Sequence, residues 1–354
     1  MQIDFQRIEL RTTHAFNIAR EVAPSVRYDV WVRLRDEEGN EGWGEAPATP
    51  FYGETAETVA AILPRLGEAV QTAAAGDPFA LERIEAALGH AVGRNPAAKV
   101  AISAALHDLV GKRLEIPVWR MWGLDPAASP PSSFTIGIDQ LEVMRDKVRE
   151  AAGYPILKIK VGTPRDAEIL SMIREEAPDK IVRVDANTGW TAKQAIAALP
   201  MLVEHGVEFI EQPLAPGDLE GNRLLRENSP LPIIADESCR TLLDIPRLVG
   251  SFDGINIKLA KCASLREAVR MVHCARAHGL SVMLGCMVES TLGVAAAVQL
   301  APLVDYVDLD GAALLASDPF QGPGIEADGR LRFNQKPGLG VSLRAGSAAG
   351  SLVD

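Results

Sequence analysis

The apolar positions of this chain fall into two textures that meet near residue 125. Before that point, "QIDFQRIEL" alternates like a half-buried strand, and "YDVWVRLRDEEGNEGWGEA" reads as a hairpin turning at "EEGNEG". A polar loop, "RTTHAFNIAREVAPSVR", runs between them. "ETAETVAAILPRLGEAV" and the Ala-rich "NPAAKVAISAALHDLVGKRL" place apolar residues near a helical period and predict two amphipathic helices. Residues 1–125 are therefore expected to form an α+β domain, with the Pro/Ser stretch "LDPAASPPSS" as the connector that leaves it.

From Phe134 onward, short apolar runs alternate with helical segments. The strand candidates are "FTIGI", "ILKIKV", "IVRVDAN", "VEFIEQP", "LPIIADE", "FDGINIKL", "LSVMLG" and "VDYVDLD". Amphipathic stretches such as "TAKQAIAALPMLVEHG" and "SLREAVRMVHCARAHG" separate most of them. Eight strands in βα repetition predict a closed α/β barrel over residues 126–320 rather than an open sheet. The tail, 321–354, is expected to return to the first domain, and its last Gly/Ala/Ser residues to be poorly ordered.

Composition narrows the partners. With 36 basic and 47 acidic residues the net charge is −11, so no basic surplus exists to neutralise nucleic-acid phosphates. The longest apolar stretch, "LGVAAAVQLAPLV", is too short for a usual membrane span and predicts a buried helix followed by a turn. "MQIDFQRIEL" has no apolar signal core, and the four cysteines form no CxxC pair. A reduced, cytoplasmic protein is the expectation. Barrels of this type often associate, so a homo-oligomer is compatible with the sequence, although no stretch marks an interface.

Polar groups recur at the C-terminal ends of the apolar runs, where barrel chemistry is found. Asp185, Glu211 and Asp236 end three successive runs. Singly, each acid could cap a following helix or face solvent. Together at one mouth they would repel, and three hard oxygen ligands without a His/Cys cluster suit Mg²⁺ better than zinc.

Lys158 and Lys160, two apart in the second run, point to one side of the strand. Lys258 sits in the sixth run, across an eight-membered ring. Isolated lysines would be read as snorkelling or as salt-bridge partners of the acids. In matched strand-end settings they offer two bases facing one carbon, because desolvation and neighbouring positive charge both lower a lysine pKa. Lys158 is expected to act in this way on Lys160. A metal holding a substrate carboxylate can stabilise the ene-diolate formed when the adjacent proton leaves. The residues alone thus predict proton abstraction next to a carboxylate.

The ordered fragments "GWGEA", "KIK", "DAN", "EQP", "ADES", "NIKL" and "DLDG" resemble the enolase superfamily, and more narrowly its muconate-lactonising subgroup and the dipeptide epimerases. That resemblance implies a (β/α)₇β barrel with an α+β capping domain. It makes Asp185, Glu211 and Asp236 the ligands of one Mg²⁺, and Lys160 and Lys258 the opposed acid/base pair. Lys158 becomes their helper on the substrate carboxylate, with Asn187, Gln212 and Glu237 behind the metal ligands. Asp308 and Asp310 would hold the free ammonium of a dipeptide substrate. Thr135, Cys286 and Val288 would touch the substrate, Cys286 without acting as a nucleophile. Arg20 of the early loop, or Arg27 as the competing choice, would receive an acidic side chain, as in L-Ala-D/L-Glu epimerases of murein peptide recycling. Glu45 reads as a structural acid of the capping domain. The alternatives are an epimerase of another dipeptide, an N-acylamino acid racemase, an o-succinylbenzoate synthase, or an inactive barrel that only binds.

Overall fold

The computed structural model describes residues 1–22 and 24–345. The Gly/Ala/Ser-rich end, for which disorder was expected, lies outside the described residues. Three antiparallel strands open the chain: β1 (Gln2–Arg11), β2 (Val26–Arg35) and β3 (Glu41–Ala46). β2 is buried on both faces. Val30, Val32 and Leu34 enter the core of the cap, while Trp31 turns the other way, edge-on to Phe320 at 5.3 Å. Alternation along one strand thus serves two cores.

Helices α1 (Ala56–Ala74), α2 (Leu81–Ala91) and α3 (Pro96–Arg113) cover that sheet. α1 and α2 are amphipathic. α3 departs from the expectation: residues 96–111 are buried all round, because this helix is packed against the cap sheet and also meets barrel segments. Its small alanines and the glycines of "GWGEA" make the approach possible. A Cβ on Gly44 would lie 2.0 Å from the Ala101 carbonyl oxygen, and one on Gly42 would lie 1.9 Å from that of Ala105.

The eight predicted runs form one parallel sheet: β4 (Phe134–Ile136), β5 (Ile156–Lys160), β6 (Ile181–Asp185), β7 (Val207–Glu211), β8 (Ile233–Ala235), β9 (Gly254–Lys258), β10 (Ser281–Gly285) and β11 (Tyr306–Asp308). Each pairs with its sequence neighbour. The ring closes through a parallel bridge between Ser132 and Val307 and a hydrogen bond from Ser133 N to the Val307 carbonyl. The helix Thr291–Val298 is buried on every side, as its unbroken apolar run requires. Glu45 caps its first turn, accepting from Ser290 N, Ser290 Oγ and Gly293 N, and so ties the cap to the barrel.

After β11 the chain forms two small antiparallel ribbons, Phe320–Gln321 with Ser342–Leu343 and Gly324–Ile325 with Leu331–Arg332. It then touches α3, where Leu339 N donates to Asp108 Oδ1 at 2.7 Å. No helix among the described residues is long and apolar enough to cross a membrane.

Candidate active site

The C-terminal ends of β5, β6, β7, β8, β9 and β11 deliver charged residues to one buried cluster. Asp185, Glu211 and Asp236 come from β6, β7 and just past β8, and each offers an oxygen within 4.8 Å of the others. All three are buried. Glu211 Oε1 accepts from Asn256 Nδ2 at 2.8 Å. Glu211 Oε2 lies 2.7 Å from Lys158 Nζ, yet out of hydrogen-bonding alignment, and has no other partner. A fully buried acceptor aimed into a cluster of carboxylates fits a site for a divalent cation, and an all-oxygen donor set matches Mg²⁺.

Four lysines surround the acids. Lys160 Nζ lies 2.7 Å from Asp185 Oδ2, and Lys258 Nζ lies 2.8 Å from Asp236 Oδ2. β5 and β9, which carry them, stand four places apart in an eight-stranded ring, so the two ammonium groups enter from opposite walls. Lys158 reaches three acids at once: Asp185 at 3.1 Å, Glu211 at 2.7 Å and Asp308 at 2.8 Å. The fourth, Lys261, escaped the sequence reading. Its Nζ meets Asp236 Oδ1 at 2.5 Å and the Asp236 carbonyl at 2.6 Å. A signal existed, since Lys261 stands one helical turn after Lys258 in "NIKLAKC".

The charges set one another's protonation. Burial alone would lower Lys158, but Asp308, Glu211 and Asp185 outweigh it and hold the ammonium well above the usual lysine range. Lys258 follows the same balance, with Asp236 raising it. Burial likewise opposes the ionised form of Asp185, and Lys160 and Lys158 pull it below the usual range. Glu211, buried and facing Asp185, is pushed up instead.

Two of the residues expected behind the acids bond them directly. Asn187 N donates to Asp185 Oδ1 at 2.8 Å, and Gln212 Oε1 accepts from Asp236 N at 2.9 Å. Glu237 turns toward the cap loop, where Arg20 Nη1 meets its Oε1 at 2.5 Å and the Asn187 carbonyl at 3.0 Å.

A cavity opens above this cluster. Lys158, Lys160, Asp236 and Lys258 line its floor, and Thr135, Cys286, Val288, Asp308 and Asp310 line one side. The capping region supplies the remaining wall, including both Arg20 and Arg27. Asp308 accepts from Ser133 Oγ at 2.6 Å, and Asp310 accepts from Thr135 N at 2.6 Å. Burial and the neighbouring Asp308 push Asp310 up to about 7. Cys286 Sγ accepts from Gly311 N, and burial raises its thiol far above the reactive range.

Comparison with known proteins agrees with this architecture. Residues 3–123 match the mandelate racemase/muconate lactonizing enzyme N-terminal domain, and residues 143–347 match the enolase C-terminal domain-like family. The L-Ala-D/L-Glu epimerase of Bacteroides thetaiotaomicron is 41% identical over 346 residues, covering 96% of this chain and 88% of that protein. An L-Ala-D/L-amino acid epimerase of a Maribacter species is 38% identical over 97% of this chain and 99% of its own. The crystal structure of a dipeptide epimerase from Enterococcus faecalis, complexed with Mg and L-Leu-L-Tyr, superposes with a TM-score of 0.89 at 32% identity, over 96% of this chain and 99% of that one. With both parts of the fold matched and such relatives along nearly its whole length, the chain belongs to the mandelate racemase/muconate lactonizing enzyme family of the enolase superfamily.

Proposed function

We propose that this protein is a Mg²⁺-dependent dipeptide epimerase of the L-Ala-D/L-Glu type, inverting the α-carbon of the C-terminal residue. The observation that carries the reading is the placement of Lys160 and Lys258 on opposite walls, each bonded to a different member of one acidic trio. Lys160 takes the α-proton from one face and Lys258 returns a proton to the other, or the reverse for the opposite enantiomer. Lys158, fixed among Asp185, Glu211 and Asp308, keeps its charge and faces the substrate carboxylate. Asp185, Glu211 and Asp236 would hold Mg²⁺, which when bound offsets the negative charge gathering on that carboxylate and relieves the acids' hold on the lysines.

Asp308 and Asp310 receive the substrate's free ammonium. An N-acyl substrate has no cation to place there, and Asp310, buried beside Asp308 but without Lys158's bond, would face a neutral amide. This favours a dipeptide over the N-acylamino acid and succinylbenzoate alternatives. The Bacteroides relative, named for L-Ala-D/L-Glu, supports alanine followed by glutamate. On this reading the enzyme works in the cytoplasm on peptides released in murein recycling. Four cysteines without a disulfide partner support that compartment.

Isotope exchange tests the reading. With Mg²⁺ and L-Ala-L-Glu in heavy water, deuterium should appear at the glutamyl α-carbon as the D-isomer accumulates. Lys160→Ala and Lys258→Ala should each abolish epimerisation while keeping exchange with one enantiomer at most. Unaltered epimerisation in either variant would end the two-base assignment. Bound Mg²⁺ with no exchange of any dipeptide would end the dipeptide reading and favour the binding-protein alternative.

A further inference from the structure

The Pro/Ser connector ends at the seam of the barrel, and its last two residues reach the site. Ser132 and Ser133 are both fully buried. They face the turn after β11 across the place where the ring closes. Ser132 Oγ accepts from Leu309 N at 2.9 Å, which fixes the backbone between the two acids of "DLDG". Ser133 Oγ donates its one proton to Asp308 Oδ1 at 2.6 Å, with the Val307 carbonyl more distant at 3.3 Å. Thr135 N donates to Asp310 Oδ2 at 2.6 Å. Residues 132–135 of one edge thus hold residues 308–310 of the other, bond by bond. On the far side, Cys286 Sγ accepts from Gly311 N at 3.3 Å, and a Cβ on Gly311 would lie 2.1 Å from the Met287 carbonyl oxygen. The turn is gripped from both neighbouring strands.

Asp308 depends on this seam for its direction. Its Oδ2 pairs with Lys158 Nζ at 2.8 Å, and its Oδ1 takes the Ser133 hydroxyl, with Thr135 Oγ1 farther off at 3.4 Å. A carboxylate offers roughly four lone-pair sites, so these donors leave Asp308 one acceptor position for the cavity. The torsion that turns an aspartate carboxylate is broad, so its plane must be set by the bonds it makes. Lys158 cannot set it alone, because its ammonium is shared with Asp185 and Glu211. Ser133 itself is out of reach of a substrate: it is fully buried and forms no part of the cavity wall. We propose that Ser133 is a positioning residue of the ammonium subsite, its hydroxyl fixing the Asp308 carboxylate so that the remaining acceptor position points, with Asp310, at the amino group of the dipeptide. The proposal rests on the dipeptide-epimerase reading and adds a residue behind the acids that the substrate does not touch.

The test pairs L-Ala-L-Glu with N-propionyl-L-glutamate, the same molecule without its amino group, using the full-length protein with Mg²⁺. Ser133→Ala should lower kcat/KM for L-Ala-L-Glu by about 10- to 100-fold, the range for a hydrogen bond to a charged group. The inhibition constant of propionylglutamate against the dipeptide should stay at its wild-type value, because that ligand brings no ammonium to the subsite. Ser133→Cys is close to serine in size but a far weaker donor, and it should show the same selective loss. It separates the hydrogen bond from packing and secures the test if the alanine variant does not fold. Equal losses for the dipeptide and for propionylglutamate would assign Ser133 to the stability of the whole site and overturn the proposal. Unchanged kcat/KM in either variant would overturn it too, while the epimerase reading stood. Wild type exchanging no dipeptide α-proton in heavy water would remove that reading and the proposal with it.

Discussion

Lys261 clamps Asp236 from behind: one ammonium bonds the carboxylate oxygen Oδ1 at 2.5 Å and the main-chain carbonyl of the same residue at 2.6 Å. A third bond, to the Asn256 carbonyl at 2.9 Å, fixes the lysine to β9. Asp236 Oδ2 alone is turned toward Lys258. The side chain of one proposed metal ligand is thereby held in a single orientation, with one of its two oxygens already engaged.

Removing that clamp should weaken the metal more than the fold. Lys261→Met retains most of the aliphatic stem but drops all three bonds, and Asp236 gains rotational freedom. Partners of this kind contribute about 10- to 100-fold to metal affinity. Titration calorimetry of Mg²⁺ into the metal-free variant should show a loss of that size. Wild-type affinity would mean that Asp236 is oriented by Lys258, Gln212 and the backbone without Lys261.

The capping loop rests on glycine. A Cβ built on Gly189 would lie 2.9 Å from Ala19 Cβ and 2.8 Å from the Ala186 carbonyl, and one on Gly162 would meet the same two atoms at 2.9 Å each. Ala19 belongs to the tight turn made by reciprocal bonds between Ile18 and Glu21, which also holds Arg20 of the cavity wall. Gly189→Ala should push this turn away from the barrel mouth. KM for the dipeptide should rise several-fold, with a smaller change in kcat, and stability should fall by about 1–3 kcal/mol from overpacking. Ala19→Gly in the same protein removes one of the two clashes and should recover part of KM. A Gly189→Ala enzyme with unchanged KM would show that the turn does not depend on this seat.

Much of the barrel was readable because strand periodicity and function coincide there. A lysine or acid closing an apolar run is conspicuous, and all eight runs became strands. The buried character of α3 was not readable, because alanine spacing alone does not reveal that a second layer covers the helix. Lys261 was hidden for a related reason: it lies in a short helical turn after the strand, and its target is the backbone and side chain of a residue 25 positions earlier. The engagement of Arg20 depends on Glu237, 217 residues away, which local sequence cannot supply.

The junction of cap and barrel predicts a pH dependence. Glu289 is buried beside Glu45 and accepts from Met287 N at 2.9 Å. Burial, reinforced by Glu45, pushes its carboxyl from 4.5 up to about 8. Between those values the folded protein keeps a proton that the unfolded chain has released, so stability must fall as pH rises. The contribution is complete below 4.5 and is lost as pH passes through about 8. Glu289→Gln preserves an acceptor for Met287 N and removes the titration. Urea midpoints measured from pH 6 to pH 9 should therefore decline more steeply in wild type than in Glu289→Gln, with a gap on the order of a few kcal/mol at the alkaline end. Glu85, raised to about 7 chiefly by burial, acts in the same direction but is common to both proteins. His107, lowered to about 4 by burial, works in the opposite direction, with stability lost as pH falls from 6.5 towards 4, mostly below this window. Parallel slopes in the two proteins would show that Glu289 is ionised in the fold at pH 6.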